Sequence, residues 1–145
     1  MNFDNEFVTI IKGNSMFPML ISDISSIYMT RKFDQLRQND IIAYKHPIDE
    51  LHPVEKIRVH RILKTDENDY LVAGDNSLTF ESIKEQMVIG VLKGFCRKKK
   101  YVDCKNHKGY KIYTLFWCGS MKRRNFLIKY INPLLQKIDK YQIRN

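Results

Sequence analysis

No stretch of this 145-residue chain approaches the run of about 20 apolar residues that a membrane-spanning helix requires. Cysteine is scarce: Cys96, Cys104 and Cys118 follow neither a CxxC zinc spacing nor the pattern of a disulfide framework. Free thiols of this kind suit a reducing compartment. His107 lies near Cys104, but the pair gives little support for a metal site. Internal repeats and low-complexity segments are absent. The opening MNFDNEF is short and acidic, unlike the start of a signal peptide. These absences lead to the expectation of a cytoplasmic chain, peripherally membrane-associated at most, with no cofactor and no metal.

Acidic residues are missing from one region in particular. Residues 1–96 carry 11 Lys and Arg against 14 Asp and Glu, a net of −3, whereas residues 97–145 carry 14 against 2, a net of +12. Together they give the formal +9 of the whole chain. So uneven a division points to two jobs for two parts.

The first part reads as strands. Phe7–Ile11, Ser26–Thr30 and Asp40–Tyr44 are short β-branched or apolar runs separated by polar turns. Ile57–Lys64 alternates, with Val59 and Arg61 on one face and His60 and Ile62 on the other. Asp66–Asp69 is a turn signal, and Tyr70–Ala73 is its hairpin partner. Val88–Phe95 is a further strand, with Gly90 and Gly94 as places for bulges. The expected fold is mostly β over residues 1–96. Residues 97–145 extend it as a basic hairpin, turning at Asn106–Gly109, followed by amphipathic helices from about Leu115. Phe126, Leu127, Tyr130 and Ile131 form one helical stripe, Pro133 can open a second helix, and Leu134, Leu135, Ile138 and Tyr141 continue the apolar face.

The segment KGNSMFPML places Ser15 among turn formers, so a turn is its simplest role. A serine hydroxyl becomes a useful nucleophile only beside a base. His60, held on a strand, offers an imidazole that can accept a proton at neutral pH. Asp75, in Ala73-Gly74-Asp75-Asn76-Ser77, offers a carboxylate to orient it, although Gly-Asp-Asn is also good turn chemistry.

Taken in order, these pieces resemble the signal peptidase family, serine peptidases related to the self-cleaving SOS repressors. Ser15-Met16-Phe17-Pro18 looks like the nucleophile box S-M-x-P. Residues Asn39 to Tyr44 resemble the G-D-I-V-x-F strand, with Asn39 where glycine is usual. Val59-His60-Arg61 resembles the box that carries the base, Gly74-Asp75-Asn76 the G-D-N box, and Val88-Ile89-Gly90-Val91 the strand that follows it. Histidine at the base position is similar to the endoplasmic-reticulum and archaeal-type members rather than the lysine-using ones.

The resemblance implies twisted antiparallel sheets of the signal-peptidase and SOS-repressor type and peptide hydrolysis through an acyl-enzyme. It implies Ser15 as nucleophile, its backbone N–H as an oxyanion donor, His60 as base, and Asp75 as orienting acid or support of its turn, with Glu81 in reserve. An extended peptide would bind as an added strand near Gly13, Met16 and Pro18. The family's membrane-spanning helix ahead of the nucleophile is not expected in the fourteen residues before Ser15. The basic tail suggests an anionic membrane surface as a second partner, or a solvated face of a packed helix. Nucleic acid is disfavoured, because no recognition motif accompanies the charge. The alternative to an enzyme is a peptide-binding module that keeps the fold without cutting.

Overall fold

The computed structural model describes residues 5–46, 50–51 and 56–144, the last four of these as backbone only. Met1–Asp4 of the acidic opening and the Tyr141 side chain lie outside what is described.

The chain is mostly β, and among the described residues eight strands form one antiparallel sheet. In chain order they are β1 Glu6–Ile10, β2 Ser26–Thr30, β3 Ile41–His46, β4 Lys56–Asp66, β5 Asp69–Ala73, β6 Glu81–Lys84, β7 Val88–Arg97 and β8 Lys100–Asp103. Their order in the sheet is β1-β2-β7-β3-β4-β5-β6, with β8 also paired to β7. The run Ile41–Tyr44 is buried on both faces because β3 is an inner strand. Ile41 and Ala43 join one core cluster with Met16, Leu20, Ile27 and Phe95, while Ile42 and Tyr44 join another with Ile62, Tyr70 and Val72. Two irregularities in the pairing of β7 skip Ile89 and Lys93, each one residue before a glycine. Gly94 lies close under the Tyr101 ring of β8, so any side chain there would have to displace that ring.

The basic hairpin differs from expectation. Its turn is Lys98-Lys99, both with positive φ (49° and 63°), the arrangement that a two-residue hairpin loop requires. Its second arm ends at Asp103, and Lys108–Cys118 is helix α1 rather than strand. His107 is the reason: its imidazole Nδ1 accepts from the Tyr110 N–H at 3.0 Å and caps the helix. A second helical arm runs from Met121. It comprises α2 (Met121–Phe126), a widened π-type turn (Leu127–Ile131) and α3 (Asn132–Arg144). Pro133 therefore sits in the first turn of α3, as expected, but α3 continues the arm instead of standing apart. The wide turn precedes it, where the missing N–H would have bonded to the preceding turn. The expected apolar stripes are also divided. Leu127 and Ile128 are buried with Trp117 and Cys118, whereas Phe126 and Tyr130 face solvent.

Candidate active site

Ser15 sits half-buried in the turn after Ile11, and a glycine holds that turn in place. Gly74, at the end of β5, packs directly on the Ser15 backbone, so a methyl group there would overlap the Ser15 carbonyl. That carbonyl accepts the Asn76 N–H at 2.8 Å, and Asn76 Nδ2 donates to the Asn14 carbonyl at 3.1 Å. The Ser15 loop and the Gly74-Asp75-Asn76 loop thus form one unit. Gly74→Ala is expected to cost about 1–3 kcal/mol through overpacking. A thermal melt would show this, alongside a loss of any activity that depends on Ser15.

His60 occupies β4 opposite Ile42 of β3, with Arg58 opposite Tyr44 on the same face. Its Nδ1 lies 2.9 Å from Tyr44 Oη, and that hydroxyl donates to Glu81 Oε2 at 3.1 Å. Burial and the neighbouring Glu81 push the Tyr44 phenol well above its ordinary value, so it stays protonated and donates a hydrogen bond to the carboxylate. The oxygen then accepts from His60 Nδ1–H, the tautomer that leaves Nε2 as the basic nitrogen. Glu81 is itself ion-paired to Arg58 and lies 3.4 Å from His46 Nε2. Burial lowers the His60 pKa below the ordinary histidine value. Glu81 and Asp75 pull it up, and Arg58 pushes it further down. The ring is therefore neutral at pH 7, as a base must be.

Neither a protein-family model, nor a curated protein, nor a solved structure matches this chain.

Ser15 and His60 line the same cleft, of about 770 Å³. Thr9 and Ile10 of β1, Ile27, Ile57 and Ile89 also line it. Among the described residues no hydrogen bond joins Ser15 to His60, and the Ser15 N–H has no acceptor. In serine peptidases the contact between nucleophile and base is often long when no substrate is bound. The strand β1 is hydrogen-bonded to β2 on one side, and no described strand pairs with its other edge. That row of open backbone groups can accept an extended chain.

Asp75 does not touch His60, which corrects the expectation that it orients the imidazole directly. Its carboxylate receives Arg61 Nε at 2.8 Å, Arg61 Nη2 at 2.9 Å and the Tyr113 hydroxyl at 2.9 Å. The cause is strand geometry, since His60 and Arg61 are successive residues of β4 and point to opposite faces. Asp75 supports its own loop, and Glu81 reaches the imidazole through Tyr44. The residues expected on the substrate side also divide. Gly13 is exposed at φ +82°, with open space where a side chain would be. Met16 is 1% exposed in the core and cannot meet a substrate. Pro18 lines a separate cavity with Phe95, Arg97 and Tyr110.

The helices hold the site from behind. Arg124, fully buried, donates through Nη2 to the carbonyls of Gly74 and Ser77, both at 2.6 Å. Asn132 Nδ2 bonds to Asn76 Oδ1 at 2.7 Å and to the Phe17 carbonyl at 3.3 Å, so one side chain ties both loops. Trp117 Nε1 donates to the Asp75 carbonyl at 2.8 Å. Sequence reasoning missed Tyr44, Arg124 and Asn132. The two-residue alternation of β3 and β4 was the available signal for Tyr44, and the other two had none.

Proposed function

We propose that this protein is a serine endopeptidase that cuts an extended peptide laid along β1. Ser15 Oγ attacks the scissile carbonyl, and His60 Nε2 takes the hydroxyl proton and delivers it to the leaving amine. The Ser15 N–H donates to the developing oxyanion. Water then hydrolyses the acyl-enzyme, again with His60 as base. Glu81, through the Tyr44 hydroxyl, holds the imidazole in the required tautomer. One observation carries this reading: Ser15 and the buried, neutral His60 line one cleft, with the imidazole Nδ1 held by Tyr44. The resemblance of the five sequence boxes to signal peptidases agrees with it.

A second reading is a module that grips peptides in the cleft without cutting them, and the missing Ser15–His60 hydrogen bond favours it. A digest of a diverse peptide library, read by mass spectrometry, separates the two. For a peptidase, cuts appear with the wild type and vanish with Ser15→Ala, while peptide binding survives. Peptide retention with no cuts by the wild type assigns the cleft to binding alone.

A further inference from the structure

Beyond the buried Trp117, Leu127 and Ile128, the helical arms also leave a row of apolar side chains facing outward. Phe126, Tyr130, Leu134 and Ile138 recur every four residues along α2, the wide turn and α3, each 55–58% exposed. Repeats of four on a helix make a single stripe, and the Phe126 and Tyr130 rings pack together at 5.2 Å. Exposed Lys122, Lys129, Lys137 and Lys140 belong to the same arm. On α1, Ile112 and Leu115 are 67% and 73% exposed. The two arms adjoin where the Arg123 guanidinium lies 5.2 Å over the Phe116 ring. Asp139 is the single acid between residues 104 and 145. The second arm, Met121–Arg144, is about 36 Å long at the helical rise.

We infer that this outward face docks on an anionic lipid bilayer, with the apolar stripe at the acyl boundary and the lysines among the headgroups. Charge complementarity selects the partner. A second copy of the chain would bring the same positive face against itself. A nucleic acid would use the cations, but its phosphate backbone gives exposed Leu134, Ile138, Ile112 and Leu115 nothing to bury against. A bilayer interface rewards both sets at once, because binding there grows with buried apolar area and with attraction to anionic headgroups. This inference stands whether or not Ser15 is a nucleophile.

The test is co-sedimentation of the full chain with vesicles of equimolar phosphatidylcholine and phosphatidylglycerol, beside vesicles of phosphatidylcholine alone. The wild type is expected to partition at least about tenfold better to the anionic vesicles, and to lose binding as salt is raised. Leu134→Gln with Ile138→Gln should weaken partition about tenfold or more. Lys129→Gln with Lys137→Gln should weaken it about fivefold per charge at low salt. Both pairs are exposed, so melting curves should match the wild type. Equal partition to both vesicles, or none to either, would overturn the inference. So would binding to a DNA duplex that the Leu134 and Ile138 substitutions leave unchanged without vesicle binding. A dimer in light scattering, dissolved by the same substitutions in place of vesicle binding, would assign the face to a second copy.

Discussion

His60→Ala is expected to reduce kcat/KM for any cleaved peptide by at least about a thousandfold, because proton transfer from Ser15 then has no partner. Tyr44→Phe keeps the ring and removes only the hydroxyl that fixes the imidazole tautomer. Its loss should be smaller, about ten- to a hundredfold, and should fall on kcat. The pH profile carries a stronger signature. With His60 as the base, the neutral imidazole is the active form, so activity is expected to be full above the His60 pKa and to fall as pH drops through it. Burial places that pKa below the ordinary 6.5, so the acid limb lies below 6.5. Glu81→Gln removes an upward pull and frees Arg58, which moves the limb to lower pH. Arg58→Gln removes a downward push and moves it higher. Rate–pH profiles of the three proteins on one peptide check the set. A limb unmoved by either substitution would detach Glu81 and Arg58 from the base.

Asp75→Ala should destabilise the fold by about 3–5 kcal/mol. Arg61 is fully buried, and Asp75 takes two of its nitrogens. The remaining contacts of Arg61, such as the Asn39 carbonyl at 3.0 Å, leave its charge uncompensated. A melting temperature lower by about 10–15 °C would be the readout. Replacing the pair together, Arg61→Met with Asp75→Leu, should recover much of the loss, because burying two paired ions is itself expensive. If Asp75→Ala alone leaves the melt unchanged, the ion pair is not what holds this loop.

The strands were legible because β-branched runs and alternation report local geometry directly. Ser26–Thr30 is strand as read, and the other strands of the first part shift by a residue or two at their ends. Glu81–Lys84 escaped notice because only Ile83 of its four residues is buried, too little for a pattern. The hairpin turn escaped for a different reason. Lys98-Lys99 lacks the Asn or Gly that marks positive φ, and His107 does not look like a cap until its ring is seen on the Tyr110 N–H. At the candidate site, the boxes were enough to name Ser15 and His60, which the fold brings to one cleft, but Asp75 could not be assigned to a partner. Adjacent His60 and Arg61 compete for it in sequence, and only the strand's two faces decide between them. Arg124 and Asn132 sit in a basic run whose composition says nothing of what each side chain reaches.

The chain has one tryptophan, and it happens to sit where it is most informative. Trp117 is 4% exposed, stacked on Tyr113 with ring centroids 5.6 Å apart, and hydrogen-bonded to the Asp75 carbonyl. Its emission therefore reports on the Gly74-Asp75-Asn76 loop without any label. A red shift on lowering pH, adding peptide or introducing Gly74→Ala would register the loop letting go of the indole. The molecule carries its own fluorescent gauge of whether the serine loop's support is in place.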